Sequence, residues 1–98
     1  MSNIFNEQTE KLFKALLSLK TVEEMESFFQ DACTIREIKE MAQRYEVAEM
    51  LDSGSVYNDI AAKTGASTAT ISRVNKCLTY GDGGYKTALN RMRENGNK

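Results

Sequence analysis

The chain has 98 residues, 41% of them apolar and 28% charged, with two cysteines, no histidine and no proline. Such a composition describes one small globular domain rather than a disordered chain, and it excludes histidine-based catalysis and argues against a zinc site. The formal net charge of −1 argues against a polyanionic partner only if the charges are evenly spread, and they are not.

The lack of proline removes the strongest helix breaker, and the periodicity predicts an all-α fold. No apolar run approaches the ~18 residues of a membrane span, and no charged-then-apolar leader opens the chain, which together predict a soluble, cytoplasmic protein without a membrane partner. Ile4, Phe5, Leu12, Phe13, Leu16 and Leu17 recur at helical spacing and predict a first helix over residues 3–19, with a weakly marked start. Thr21 and Glu24 then form a capping box, in which the Thr hydroxyl accepts from the third helical amide and the Glu reaches back to the Thr amide. Val22, Met25, Phe28, Phe29 and Ala32 make the apolar stripe of the second helix. Phe28 and Phe29 are bulky for so short an element; core packing and a dimer seam both accommodate them, since a chain this small has little interior to spare. Cys33 and Cys77 read as small, half-buried apolar residues in a reducing compartment.

Thr34 and Glu37 repeat the capping box. From there Ile35, Ile38, Met41, Ala42, Tyr45, Val47, Ala48 and Leu51 run to a stop at Ser53-Gly54. Apolar residues cover more than one face of this third helix, which predicts a central helix buried on several sides. Arg44, at its middle, is on its own evidence a solvated arginine or a partner in an ion pair. Ser55 is a candidate cap for a fourth helix over 56–64, with Ile60 and Ala61 facing inward. A fifth helix over 68–79 is capped by Ser67. The Gly81-Asp-Gly-Gly84 loop lacks the strand and lysine placement of a phosphate cradle. A sixth helix over 85–94 carries Tyr85, Ala88, Leu89 and Met92 on one face, and residues 95–98 read as a frayed tail. The organisation predicted is one domain: dimerisation helices over 1–54, a helix-turn-helix over 55–80 and a C-terminal helix over 84–95.

The stretch 57–78 carries the functional reading. Gly65 is a left-handed helix terminator, Ala61 is small where two helices cross, and Ile60, Ala66, Ile71 and Val74 stand where packing between the helices is required. An ordinary αα-hairpin would share that packing but not the surface. The fifth helix opens with Ser67, Thr68, Ala69, Thr70, Ser72 and Arg73, small or hydroxyl-bearing groups that let a helix end enter a major groove and touch phosphates, base edges or a thymine methyl. Arg73 and Lys76 follow within reach of the backbone. No Asp or Glu occurs between Asp59 and Asp82. Residues 1–55 hold six Lys/Arg against eleven Asp/Glu, for −5, while residues 56–98 hold seven against three, for +4. The DNA-contacting set predicted is therefore Ser67, Thr68, Ala69, Thr70, Ser72, Arg73 and Lys76. No placed nucleophile–base pair or metal cluster suggests an enzyme or a metal cofactor.

The segment from Gly65 to Arg73, GASTATISR, resembles the Gly-Ala-x-x-Ala-Thr-Ile-(Ser/Thr)-Arg segment of the Trp repressor family. Upstream, Thr34, the Arg36-Glu37 pair, Arg44 and the run from Glu49 to Gly54 stand at matching spacings. The likeness covers nearly the full length and is closest to the shorter TrpR-related members. It implies an intertwined homodimer of six-helix subunits, with helices one, two, three and six forming the shared core. It implies double-stranded DNA as partner and a palindromic operator whose successive major grooves, roughly 34 Å apart, take the two recognition helices. It also implies an amino-acid co-repressor bracketed by Arg44 and Arg73, with Cys33 and Thr34 of the partner subunit lining the pocket. Val74 stands where the family has glycine, and Asp31 where it has leucine. These two exchanges imply an effector smaller or more polar than tryptophan. Histidine is a candidate, because Asp31 could accept from an imidazole. Asn58 and Ala61 replace two basic residues that approach DNA in the family. The competing reading is a helical protein-interaction module that has kept the fold and lost DNA binding.

Overall fold

Helix boundaries follow from side chains that satisfy the orphan amides and carbonyls of helix ends. In the computed structural model, which describes residues 4–96, six α-helices and no strands occur among the described residues. They are α1 (Glu7–Ser18), α2 (Val22–Ala32), α3 (Ile35–Asp52), α4 (Tyr57–Thr64), α5 (Thr68–Tyr80) and α6 (Gly84–Gly96). The all-α expectation holds. The chain divides into two compact units, one through Ile38 and one from Lys39 onward.

In the first unit α1 begins later than its apolar pattern suggests, because Asn6 caps it. The Asn6 side chain accepts from the Thr9 amide at 3.1 Å, and the Thr9 hydroxyl accepts from the Asn6 amide at 2.8 Å. Asn3, the expected start, lies outside the described residues. The box expected at Thr21 is half formed: Thr21 accepts from the Glu24 amide, but the Glu24 carboxylate takes the amide of Lys20 at 2.7 Å instead of that of Thr21. The second box is complete, with Glu37 donating its amide to the Thr34 hydroxyl at 3.1 Å and its carboxylate accepting from Thr34 at 2.8 Å. Phe28 and Phe29 meet edge to face at 5.8 Å, both half-buried. No residue of α1 or α2 is buried. Leu12, Phe13, Leu17, Val22 and Met25 are all exposed, Leu17 to 85%.

The second unit has a core. Val47 and Ala48 of α3, Ile60 of α4, Ala66 of the turn, Ile71 and Val74 of α5 and Leu89 of α6 are buried together. Burying each valine, isoleucine or leucine of this set stabilises by about 1.5–3 kcal/mol. The expectation of an α3 buried on several sides is corrected: only Val47 and Ala48 are buried, while Ile35 and Met41 stay exposed. α3 ends in a Schellman motif. Gly54 has φ 93°, its amide reaches the Leu51 carbonyl at 3.0 Å, and the Ser55 amide reaches Met50 at 3.0 Å. α4 starts one residue later than expected. Val56 is its N-cap and provides no side-chain hydrogen bond. The expected tail is partly helical, since α6 continues through Gly96; residues 97 and 98 lie outside the described residues.

Asp52, at the end of α3, accepts from both Lys86 (3.1 Å) and Arg93 of α6. The hydrogen bond from Lys86, reinforced by Arg93 and opposed by desolvation, holds its carboxyl below the usual carboxylate range. A folded-state value lower than the unfolded one gives stability that is whole above the unfolded value and is lost as the pH falls through the folded one. Asp52→Asn should therefore lower Tm by about 5 °C near neutral pH, equivalent to about 1 kcal/mol. Thermal melts at fixed protein concentration should show the gap closing as the pH drops well below about 3.9.

Candidate nucleic-acid interface

The helix-turn-helix lies wholly in the second unit. α4 ends on Gly65, whose φ of 76° and ψ of 6° are left-handed and whose amide reaches the Ala61 carbonyl at 2.9 Å. A side chain there would be strained. Ile60, Ala66, Ile71 and Val74 are buried, and Ala61 packs partly buried against them, as the spacing predicts.

Ser67 starts α5 by accepting from the Thr70 amide at 3.1 Å, and its hydroxyl donates to the Thr70 hydroxyl, also at 3.1 Å. These two predicted contact residues are thus engaged in the cap, and Thr70 is half-buried. Thr68, Ala69, Ser72, Arg73 and Lys76 are exposed. Ala69, Ser72, Arg73 and Lys76 fall at helical offsets of three, four and seven, which puts them on one side of α5, while Ile71, Val74 and Leu78 line the other. The first turn of α5 carries no acidic residue. The electrostatics sharpen as well. Lys86 and Arg93 are paired with Asp52, and the basic residues on the helix-turn-helix itself are Lys63, Arg73 and Lys76.

The residues expected around an effector fall in both units. In the first, Asp31 is exposed near the end of α2. Cys33 caps α2, its amide reaching Phe29 at 2.8 Å, and Thr34 is committed to the cap of α3. In the second, Arg44 is half-buried on α3 and Arg73 exposed on α5, while the Val74 side chain is 1% exposed and belongs to the core. A cleft of about 460 Å³ between α3 and α6, lined in part by Glu49, Met50, Met92 and Arg93, includes none of them. Asn58 is exposed on α4.

One residue at this site was not legible in advance. The Gln43 carboxamide donates from Nε2 to the Thr64 carbonyl at 3.1 Å, joining α3 to the end of α4 across 21 residues of sequence. Its only sequence signal is its place one helical turn before the buried Val47.

A capped, acid-free α5 packed through a glycine turn on α4, with α3 and α6 completing the core, forms a helix-turn-helix unit. The family model described as Trp repressor protein matches residues 7–93, and the chain belongs to that family. The family comprises DNA-binding transcription regulators rather than enzymes. The chain is 54% identical over 87 residues to the uncharacterized protein YerC of Bacillus subtilis (strain 168), covering 89% of this chain and 84% of that one. A solved TrpR-like protein from Eubacterium eligens ATCC 27750 is 54% identical with a TM-score of 0.86, over 89% of this chain and 90% of that one. A candidate Trp repressor from Staphylococcus aureus is 43% identical with a TM-score of 0.88, over 91% and 89%. The expected kinship and the Trp-repressor-like fold are both borne out. No helix among the described residues is long and apolar enough to cross a membrane.

Proposed function

We propose that the chain is a homodimeric, sequence-specific DNA-binding transcriptional regulator, acting as a repressor at a palindromic operator. The observation that carries this reading is the outer side of α5: small and basic groups, exposed and free of acid, on a helix fixed by a cap and a buried inner side. Thr68, Ala69, Ser72, Arg73 and Lys76 are the proposed contacts with bases and phosphates. Ser67 and Thr70 set the helix start and offer the phosphate its amide dipoles. Homodimerisation is supported by the first unit, whose helices have no buried residue and a row of exposed leucine, phenylalanine, valine and methionine. A helix pair without an interior gains its stability from a cover, and symmetric self-association supplies one. Binding of genomic fragments followed by fluorescence anisotropy tests the reading. The logarithm of the binding constant should fall linearly with the logarithm of salt concentration, by about 0.9 per phosphate contacted, with a slope expected near −4 or steeper. No binding at low salt would instead favour the interaction module, toward which Asn58 and Ala61 point.

We further propose an amino-acid effector bracketed by Arg44 and Arg73 of one subunit, with Asp31, Cys33 and Thr34 contributed by the other subunit of the homodimer, and with Val74 reducing the room for an indole. Histidine is the candidate, an imidazole donor for the exposed Asp31 carboxylate. Calorimetric titration of the protein against all twenty amino acids should give heat with histidine, lost in Arg44→Ala. Silence across the panel would leave an effector-independent regulator.

A further inference from the structure

We propose that Gln43 is a positioning residue: its carboxamide clamps the α4–α5 turn to α3 and so fixes the angle at which α5 is presented. Thr64 is the last residue of α4, where carbonyls lack intrahelical partners, and its carbonyl takes the Gln43 Nε2–H at 3.1 Å. The same residue is a junction. The Thr64 hydroxyl donates to the Ile60 carbonyl at 2.8 Å and accepts from the Ala66 amide at 3.1 Å. Ala66 directly precedes Ser67, which holds the Thr70 amide. A continuous set of hydrogen bonds and backbone therefore runs from the middle of α3 through Thr64 and Ala66 to the first turn of the recognition helix.

Apolar contacts alone would not fix that angle. Val47, Ile60, Ile71 and Val74 hold the helices together, but hydrophobic burial is non-directional and tolerates small rotations. A hydrogen bond weakens steeply once its angle opens, so the Gln43 contact selects one orientation. The turn is also close to Gln43: a Cβ at Gly65 would lie 3.9 Å from Nε2. Gln43 lies one residue from Arg44, so an occupant at Arg44 would act on the same stretch of α3.

The consequence for DNA affinity rests on the proposed function, whereas the clamp itself does not, and the test separates them. Gln43→Met keeps length and bulk but has no donor. Amide hydrogen exchange in the whole protein should speed up about five-fold at Gly65, Ala66 and Thr70, the factor an ordinary hydrogen bond is worth, and stay unchanged at Leu89 and Ser53. DNA affinity should fall about five-fold per recognition helix with an unchanged salt slope, because no phosphate contact is removed. Unchanged exchange at the turn, or acceleration spread evenly through the core, would overturn the clamp. Faster exchange at the turn with wild-type affinity would overturn its role in presenting α5. If the wild-type protein binds no DNA, the proposed function fails, and the exchange pattern still decides for or against the clamp.

Discussion

Ala69→Glu combined with Ser72→Glu should abolish specific DNA binding, lowering affinity by at least about 1000-fold, or about 4 kcal/mol. Both side chains are exposed on the outer side of α5. Each dimer would carry four new carboxylates against phosphates, and like charges brought together at an interface cost several kcal/mol. The variant separates binding from folding. Ala69 is the second residue of α5, where a negative charge favours the helix dipole, and Ser72 bears no part of the cap. Stability should therefore change by no more than about 0.5 kcal/mol. Thr70 is a poorer choice, because its amide and hydroxyl both meet Ser67. Anisotropy titration paired with a thermal melt checks the prediction. Retained affinity would remove α5 as the recognition helix.

Leu17→Glu should dissociate the proposed homodimer. Leu17 is 85% exposed in the single chain, in a unit whose helices bury nothing. Burying a leucine stabilises by about 1.5–3 kcal/mol, and two-fold symmetry counts the substitution twice. The dimer dissociation constant should thus rise at least about 100-fold, with lost helicity, because α1 and α2 without a cover have no interior. Sedimentation equilibrium with far-UV circular dichroism reads both effects. Gln8→Glu, also exposed on α1 and outside the apolar row, is the matched control for charge. A wild-type mass and helicity in Leu17→Glu would place the subunit contact elsewhere.

What could be read in the sequence was local. Gly65, Ser67 and the Thr34–Glu37 box carry their structural meaning within four residues, and all three do what their chemistry predicts. So did the inward set Ile60, Ala66, Ile71 and Val74, because helical spacing determines which side faces the core. Local readings failed at helix ends whose neighbours offer another arrangement. Ser55 reads as a cap, yet its amide closes the Schellman motif of α3 and Val56 is the N-cap of α4; Glu24 reads as the partner of Thr21, yet the Lys20 amide takes it. Asn6 with Thr9 was missed because that capping pair lies outside the Ser/Thr–Glu/Gln pattern. Long-range pairs left no mark. Gln43 meets Thr64, and Asp52 meets Lys86 and Arg93, only once the helices are packed. The last pair also alters the charge reading, since part of the basic half is engaged with the acidic one.

In the proposed regulator two copies of α5 read DNA sequence. Selection of bound sites from a random double-stranded library by the wild-type protein tests it most directly. A palindromic motif with half-sites about one helical turn apart should be enriched, and should be absent when Ala69→Glu/Ser72→Glu is used. A wild-type pool with no enriched motif, indistinguishable from that of the variant, would contradict it.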